Sequence, residues 1–343
     1  MAKISGIKNE TLIGLLIAVL VVVGVAAIVL FNTTGEKGSG LGKEYVYDIE
    51  DMIKIDPALI LYAESAEPIE TGFNKSFGIA VDSVGTIYAV GDKAIRLFDG
   101  GGNSQGEIRL DSEPRCVAVS KNGKTYIGMK NHVQVYDSEK KHLASWPRLD
   151  DDAVLTSIAV LKDDIFAADA GNRIVLRYDT NGKLLNLIGG KNETRNIPGF
   201  VVPSPYFDLA IAYDGLLRVV NPGRHRIEAY TFGGDLEFWW GTYSPNIEGF
   251  CGCCNPVNFA ILKDGGFVTV EKGLVRVKVY DADGKFAGVV AGPEQLIKPY
   301  DARICQVPAN CQSGGFDLAI DSIQQVLVLD TIRNVIRTFA KTR

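Results

Sequence analysis

Five of the six cysteines lie in two short segments of the second half of the chain, where sulfur could do structural, redox or metal chemistry. Cys251, Cys253 and Cys254 fall within GFCGCCNP, and Cys305 and Cys311 fall within ICQVPANCQ. Clustered cysteines in an oxidising compartment by default form disulfides, and two pairs with one spare thiol would staple these segments. The spacing allows Cys305 to pair with Cys311, and Cys251 to pair with Cys254 or across to the other segment.

Two other chemistries could use the same residues. A thiolate-bound metal or an iron–sulfur cluster needs about four soft ligands at close range, and the five cysteines could supply them. The C-x-C-C spacing is not that of a ferredoxin, and a zinc site typically shows C-x2-C twice, so the spacing does not select a metal. A reactive thiol in redox chemistry is the third reading. The sequence leaves all three open.

A recurring pattern of apolar runs predicts the framework that must position these cysteines. Six copies begin with a strand-like run around a small residue and continue with two further apolar runs. The register residues of the copies are Ala80, Ala118, Ala159, Ala210, Ala260 and Ala319. Their period of about 40 to 60 residues is typical of a β-propeller. Turn pairs such as Asn122-Gly123, and a fourth apolar run in most copies, predict an all-β protein of six four-stranded blades.

The first strand of each blade should line the central channel, and this places a set of polar residues near the channel mouth. The position two residues before each register alanine shares its face of the strand. The residues there are Gly78, Cys116, Ser157, Asp208, Asn258 and Asp317. The oxygens of Asp208, Asn258 and Asp317 could bind a hard cation, or, with Ser157, a small polar molecule. The alternative is that these residues bind water and cap strand ends.

The loops that lead into the first strands should emerge on the same face as the connections between second and third strands. Those connections carry Asn221, Arg224 and Glu271, which we consider further ligand-binding candidates, although mixed charges are also typical of solvated surface. Both cysteine segments belong to long loops that lead into neighbouring blades, the fifth and the sixth. Long loops on a rigid scaffold are frequent places for function. On an outer strand, Trp239 and Trp240 should face opposite ways. One should pack between blades, and the other is either an exposed partner contact or, as we favour, a second ring packed between blades.

The two ends of the chain carry their own signals. The last copy ends at Arg343 without its fourth strand, so the run ALILYAES from Ala58 should complete the sixth blade and close the ring.

The uncharged residues 11–31 predict a transmembrane helix, since a helix of this length spans roughly the 30 Å of a bilayer core. Lys3 and Lys8 precede it, so residues 1–10 should be cytoplasmic and the propeller extracytoplasmic. Residues 32–43 form a predicted flexible linker, and residues 44–343 the propeller.

The segments ADAGNRIVLRYD and IGGK resemble the NHL-repeat family of six-bladed propellers. Asp169, Gly171 and Asn172 fit the start of the family pattern D-x-G-N-x-R, although Arg173 arrives one residue early. In the fourth copy, NPGRHR departs at the first and fourth positions, and the other copies are degenerate. The stretch EGFCGCCNP followed by EKGLVRVKVYDADGKF also resembles a group of bacterial membrane-anchored NHL proteins. The resemblance implies a fold and a habit of binding, and it implies no reaction.

Charge and motif content narrow the function. A net charge of −5 without a basic cluster argues against a nucleic-acid partner. No serine-hydrolase elbow, phosphate-binding glycine loop or H-E-x-x-H motif is present. These observations favour a membrane-anchored extracytoplasmic binding or scaffold propeller, whose cysteine-bearing face contacts another membrane or extracytoplasmic protein. One alternative is a redox or electron-transfer protein with a cysteine-bound metal. Another is a cation-dependent enzyme of the lactonase or lyase type that uses Asp208, Asn258 and Asp317.

Overall fold

The computed structural model describes residues 9–31, 52–297 and 314–342, and the chain divides between residues 49 and 50 into two compact units. The first unit contains helix α1, Asn9–Phe31. In the part of the chain that is described, with side chains at 13–26 of this helix, no helix reaches the length and hydropathy that crossing a membrane requires. The transmembrane helix over residues 11–31 therefore stays a prediction.

The second unit is a ring of six antiparallel sheets, each forming one blade. Two short strands precede the first blade, β1 (Tyr62–Glu64) and β2 (Ile69–Glu70). Blade 1 contains β3 (Ser76–Val81), β4 (Ile87–Gly91), β5 (Ala94–Phe98) and β6 (Ser104–Arg109). Blade 2 contains β7 (Cys116–Val119), β8 (Thr125–Gly128), β9 (Val133–Tyr136) and β10 (His142–Ser145). Blade 3 contains β11 (Leu155–Leu161), β12 (Asp164–Asp169), β13 (Ile174–Tyr178) and β14 (Leu184–Ile188).

The remaining blades repeat the plan. Blade 4 contains β15 (Leu209–Ile211), β16 (Leu217–Asn221), β17 (Arg226–Tyr230) and β18 (Leu236–Trp240). Blade 5 contains β19 (Asn258–Ile261), β20 (Phe267–Glu271), β21 (Arg276–Tyr280) and β22 (Phe286–Ala291). Blade 6 contains β23 (Asp317–Ile320), β24 (Val326–Asp330) and β25 (Val335–Lys341). Short helical turns occur at Pro57–Leu59, Pro222–Arg224 and, as helix α2, Pro293–Leu296.

The ring closes through the early strand, as the sequence predicted. Strand β1 pairs antiparallel with β25, which places Tyr62 opposite Lys341 and Glu64 opposite Phe339. Strand β2 adds a second, shorter pairing to the same strand. The prediction of six blades closed by an N-terminal strand is therefore confirmed. Closure matters because an unpaired edge of β25 would expose backbone donors and acceptors.

Local sequence explains why the blades form. In blades 1, 2, 3 and 5 the turn between the third and fourth strands begins with an aspartate whose carboxylate accepts backbone hydrogen bonds, as Asp281 does from the amides of Asp283 and Lys285. Gly284 then adopts a φ of 77°, a left-handed conformation that favours glycine. Between blades, buried apolar faces interlock. Trp240 is 8% exposed, and its ring lies 4.8 Å from that of Phe267 in blade 5, whereas Trp239 is 52% exposed. The predicted interblade packing is confirmed for Trp240, whereas the favoured expectation that both rings pack between blades is wrong for Trp239.

Candidate functional site at the upper face

We call the end of the ring at which the first strands begin the upper face. Each first strand runs away from this face and each second strand returns to it. The connections between second and third strands therefore lie on the same face as the loops that lead into the first strands. The first strands also line the axial channel, a cavity of about 390 Å³. This is the arrangement that the repeat pattern predicted.

The predicted ring of channel residues is brought together, and most of its side chains tie one blade to the next. Asp208 accepts a hydrogen bond from the Phe259 amide at 2.8 Å, and Asp317 accepts one from the Ile79 amide at 2.8 Å. The Asn258 amide donates to the Phe316 carbonyl at 2.6 Å. The Ser157 hydroxyl lies 3.4 Å from both the amide and the carbonyl of Leu209. These bonds connect blades 3, 4, 5, 6 and 1 in sequence around the axis.

The two aspartates of this ring interact electrostatically, and both have raised pKa values. Burial raises the pKa of Asp208 to about 6. Burial, followed by the negative charge of Asp208, raises the pKa of Asp317 to about 7. Cys116 lies in the same ring and is 5% exposed. Burial and the charges of Asp317 and Asp208 raise the pKa of its thiol, which is therefore a neutral packing group near neutral pH.

The connections between second and third strands do not form the solvated charged surface that mixed charge suggested. The last residues of four second strands are at most 1% exposed: Asp169, Asn221, Glu271 and Asp330. Three of them hold the loop that leads into their own blade. Asp169 accepts from the Val154 amide, and Asn221 from the Val201 amide, each at 2.9 Å. Glu271 accepts from the Cys251 amide at 2.7 Å. The expectation of solvent exposure is therefore wrong for these positions.

The remaining candidates on this face have different surroundings. Asn221 also donates to Glu228 at 2.9 Å, so both ends of its side-chain amide have internal partners. Arg224 lies beside it in the connection and is exposed to solvent. Of the predicted ligand-binding residues, the structure thus brings Asn258 and Asp317 to the channel mouth and Ser157 and Asp208 to the channel wall. It separates Asn221, Glu271 and Arg224 from them.

A polar cavity of about 410 Å³ opens at the channel mouth on the upper face, and we call it the mouth cavity. Its lining includes Lys75, Arg115, Thr156, Tyr206, Asn258 and Asp317. The guanidinium of Arg115 lies over the Phe77 ring at 4.8 Å, and Nη2 is 3.7 Å from a Glu113 carboxylate oxygen. Its Nε is buried and has no hydrogen-bond partner among the described residues. An unpaired charged donor in a cavity wall is a feature that a bound acceptor would satisfy.

Sequence reasoning missed the cations and the aromatic ring of this cavity. Lys75 and Arg115 stand immediately before the first strands of blades 1 and 2, and Tyr206 stands three residues before that of blade 4. The predicted ring was confined to the strand face that carries the register alanines. The available signal was the approach residue of each blade, because a residue just ahead of a first strand must lie at the rim of the channel.

Buried polar groups hold the cysteine segment before blade 5, GFCGCCNP, in place. The Asn255 amide donates to the Cys251 carbonyl at 2.6 Å and accepts from the Lys272 amide at 2.9 Å. Glu271, which accepts from the Cys251 amide, is itself paired with Arg276 at 2.6 Å and Lys278 at 3.2 Å. Burial raises the pKa of Glu271, but the charges of Lys278 and Arg276 outweigh it and hold the pKa below its usual value. The loop therefore rests on an ionised carboxylate.

The four described cysteines, Cys116, Cys251, Cys253 and Cys254, are free thiols. The sulfurs of Cys253 and Cys254 lie 3.2 Å apart, with the former exposed and the latter 1% exposed. Cys305 and Cys311 lie outside the described residues, so their predicted pairing, and a metal or cluster held by both segments, stay predictions. Within the described ranges, no group of three or more histidine, cysteine or acidic side chains has the arrangement of a metal site.

The environment of Cys254 favours negative charge on its sulfur. Burial raises the pKa of this thiol, but hydrogen bonds from Ser204, Cys253 and Lys272, together with the Lys272 charge, lower it below its usual value. The Lys272 ammonium lies 3.0 Å from the Ser204 hydroxyl, which in turn lies 3.5 Å from the Cys254 sulfur. The hydrogen bond to Cys254, with burial, raises the pKa of Cys253. The pair therefore combines an exposed thiol with a buried, charge-stabilised one.

Comparison with known proteins shows the fold. Neither a protein-family model nor a curated protein matches this chain. Among solved structures, a streptogramin B lyase matches with a TM-score of 0.58 and 13% identity, over 84% of this chain and 100% of that one. A virginiamycin B lyase from Staphylococcus aureus matches with a TM-score of 0.55 and 13% identity, over 82% and 100%. The WD40 propeller domain of Doa1 matches with a TM-score of 0.52 and 13% identity, over 78% and 79%. These likenesses establish a β-propeller and no more.

Proposed function

We propose that this protein is a binding propeller whose mouth cavity takes a small molecule or partner group bearing a carboxylate or a similar oxyanion. The single observation that supports the proposal most strongly is the buried Nε of Arg115, which lacks a hydrogen-bond partner among the described residues and lies in the cavity wall. Guanidinium groups bind planar oxyanions through several donors at once. A second cation, Lys75, lines the same cavity.

The rest of the lining suits an anion of modest size. A cavity of about 410 Å³ lies within the range of small-molecule sites. The hydroxyl of Thr156 and the amide of Asn258 already bond to the backbone of neighbouring blades, so they give the cavity a rigid wall. Asp317 is the acidic group of the lining, and its raised pKa of about 7 reduces its repulsion of an anion at neutral pH and below. We infer that Arg115 and Lys75 set the charge preference of the cavity.

The experiment measures binding of citrate, succinate and inorganic phosphate to the purified full chain by calorimetry and thermal denaturation at pH 6.5. We expect at least one of these probes to bind saturably and to raise Tm, because a ligand that binds only the folded state stabilises it. Arg115→Gln should weaken that binding about tenfold or more, since a charge-assisted hydrogen bond contributes roughly 1.5–3 kcal/mol.

Arg109→Gln is the matched control, because Arg109 is an arginine of outer strand β6 whose side chain is 91% exposed. It should leave binding unchanged. Equal binding by the wild type and Arg115→Gln would contradict the proposal, as would the failure of all three probes to bind.

In this proposal, residues 11–31 anchor the chain in the cytoplasmic membrane, and the propeller presents its upper face to an extracytoplasmic protein or solute. Support comes from the 21 uncharged residues and from Lys3 and Lys8 ahead of them. We also propose that the blades are NHL-type repeats, because the Asp169–Asn172 segment fits the start of that family's pattern. Carbonate-resistant membrane association, lost on removal of residues 1–31, is the expected result, and release of the intact chain by carbonate would contradict the anchor.

A lyase-type reaction is a second candidate, favoured by the similarity in fold to streptogramin B lyase and virginiamycin B lyase. Support comes from the linings of the channel and of the mouth cavity, which include the proposed cation ligands Asp208, Asn258 and Asp317. Each of them also bonds to the backbone of the next blade, which directs part of its polar capacity away from a cation. Turnover of a lactone or of a streptogramin B by the metal-supplemented chain, lost in Asp317→Asn, is the expected result. Activity that survives this substitution would contradict that site.

A further inference from the structure

The adjacent thiols of Cys253 and Cys254 form a two-sulfur unit at the surface of the upper face. Their sulfurs are 3.2 Å apart, which is closer than the van der Waals contact of two sulfurs that are only packed together. Gly252, immediately before them, has a φ of 87°, a left-handed conformation that favours glycine in this loop. Cys253 is exposed and Cys254 is 1% exposed, so one sulfur can be reached from solvent and the other is shielded.

A buried cation lies next to the shielded sulfur. Lys272 is 3% exposed, and its ammonium donates to the Ser204 hydroxyl at 3.0 Å. That hydroxyl contacts the Cys254 sulfur at 3.5 Å. The same ammonium lies 5.1 Å from the centre of the Tyr206 ring, which lines the mouth cavity. A thiol beside a cation and a hydroxyl donor is the environment in which cysteines exchange electrons, whereas a structural thiol is buried among apolar groups.

We propose that Cys253 and Cys254 form a redox couple that exchanges electrons with disulfides through an adjacent-residue disulfide. The proposal rests on the contact between the two sulfurs, on their unequal exposure and on the Lys272–Ser204 pair beside Cys254. It does not depend on the anion-binding role of the mouth cavity.

The reaction balances with a disulfide R–S–S–R as the oxidant. Cys254 starts as the thiolate, its proton having passed to solvent. It accepts the proton of Cys253 as the Cys253 sulfur attacks one sulfur of R–S–S–R, and the first R–S⁻ leaves. Cys254 then gives up that proton to R–S⁻, forming R–SH. The Cys254 sulfur attacks Cys253, the Cys253–Cys254 bond forms, and a second R–S⁻ leaves and is protonated by solvent. Two thiols of the protein are oxidised and one external disulfide is reduced to two thiols.

Chain geometry makes such a disulfide labile. Consecutive Cα atoms are about 3.8 Å apart across a trans peptide, whereas most disulfides join Cα atoms about 4.4–6.8 Å apart. A bond formed in this geometry is strained, and strained disulfides are the readily reduced, catalytic or regulatory ones. The dithiol should therefore be the resting state, and the disulfide a transient one that a thiol reductant reverses.

The test uses the full chain, reduced and then held without oxygen in oxidised glutathione. After alkylation and mass mapping, we expect the peptide that carries Cys253 and Cys254 to have lost two hydrogens and to resist alkylation, and dithiothreitol to reverse both changes. Cys254→Ser should instead trap glutathione on Cys253, because the resolving sulfur is gone. The proposal is overturned if both cysteines stay alkylatable, or if oxidation joins either of them to Cys251, Cys305 or Cys311.

The role of Lys272 has its own variants. Lys272→Met should slow the oxidation about tenfold or more, because it removes the charge beside the sulfur that must carry negative charge, and Lys272→Arg should retain most of the rate. Lys263→Met is the control, since Lys263 is exposed and lies on the turn after β19, at the opposite face. An unchanged rate in a folded Lys272→Met would overturn the assigned role of Lys272. The wild-type mapping tests the couple even if that variant does not fold.

Discussion

Glu271 is the buried charge on which the cysteine segment of blade 5 depends. It is 0% exposed, and it joins the Cys251 amide to Arg276 and Lys278. Burial, partly offset by the Glu271 charge, lowers the pKa of Lys278 to about 8. Lys278 also donates to the Ile247 carbonyl at 3.0 Å, so the same network reaches the loop before the cysteines. One carboxylate therefore positions the loop and pairs with two buried cations.

Replacing this carboxylate should be costly. We expect Glu271→Gln to lower the free energy of unfolding by about 3–5 kcal/mol, because it leaves Arg276 and Lys278 buried without a counter-charge. Urea denaturation at pH 7 measures the change. Glu107→Gln is the control, since the side chain of Glu107 is 33% exposed and pairs with arginines at the surface, and such pairs contribute about 0–1 kcal/mol. Equal losses in the two variants would contradict the assigned role.

At the scale of single residues, the sequence predicted positions better than partners. The register alanines placed Ser157, Asp208, Asn258 and Asp317 correctly around one channel, because a strand alternates its side chains with a fixed period. The period does not predict which group each polar side chain hydrogen-bonds to. Their hydrogen bonds run to the neighbouring blade, and the partner is more than 50 residues away in sequence for all four.

Strand β1 is the element that decides whether the ring is closed. It pairs with β25 at three positions, and the Glu64 carboxylate accepts two hydrogen bonds from the Arg337 guanidinium, each at 2.7 Å. Arg337 also donates to the Gln295 carbonyl at 2.8 Å, next to blade 5. Because β25 would otherwise be an open edge, this short strand, which precedes the first blade in the chain, completes the last blade and so closes the ring.

Deletion of residues 58–65 should open the ring. We expect the variant to lose the cooperative thermal transition of the full chain and to aggregate, since β25 would expose its unpaired backbone groups. Deletion of the predicted linker, residues 32–43, serves as the control and should leave the transition unchanged. Circular dichroism during heating, with light scattering, measures both. A cooperative melt at the wild-type Tm after deletion of 58–65 would contradict closure by β1.

Elements were predictable to the extent that they repeat. The apolar runs and their turn residues predicted the strands, and the missing fourth strand of the last copy predicted the closure. The loops that lead into the blades follow no period, so their course could not be read from the sequence. Their anchors have a pattern only in retrospect, because Asp169, Asn221 and Glu271 each end a second strand and accept a backbone hydrogen bond from the loop.

At the scale of the whole molecule, two buried carboxylates stabilise the ring through hydrogen bonds, while their negative charges repel each other. Asp208 connects blade 4 to blade 5, and Asp317 connects blade 6 to blade 1. Both are buried at the axis, with Cys116 also near them and Arg115 in the wall of the same mouth cavity as Asp317. Closing the ring brings the two charges toward one another, so the fold holds them most easily when at least one is protonated.

This arrangement predicts how stability changes with pH. Because the pKa values of Asp208 and Asp317 are raised in the folded state, that state binds more protons than the unfolded chain between about pH 4 and 7. Their contribution to the free energy of unfolding is therefore complete below about pH 4, near their unfolded pKa values, and is lost as pH rises through about 6 to 7. Carboxylates whose pKa is lowered, such as Glu271 and Asp214, act in the opposite direction, so the contribution must be read from a difference between variants.

Asp317→Asn isolates that difference. It removes one titrating group and its repulsion of Asp208, while the amide oxygen can still accept one of the two backbone hydrogen bonds that Asp317 accepts. We expect the variant to be less stable than the wild type at pH 4.5, and the gap to narrow as pH rises to 7.5, with a slope of at most about 1.4 kcal/mol per pH unit for one proton. Urea denaturation at half-unit steps of pH measures the gap. A gap that stays constant, or that widens with pH, would show that the two carboxylates do not share the axis as charges, and the ring would then owe its closure at the channel to hydrogen bonds alone.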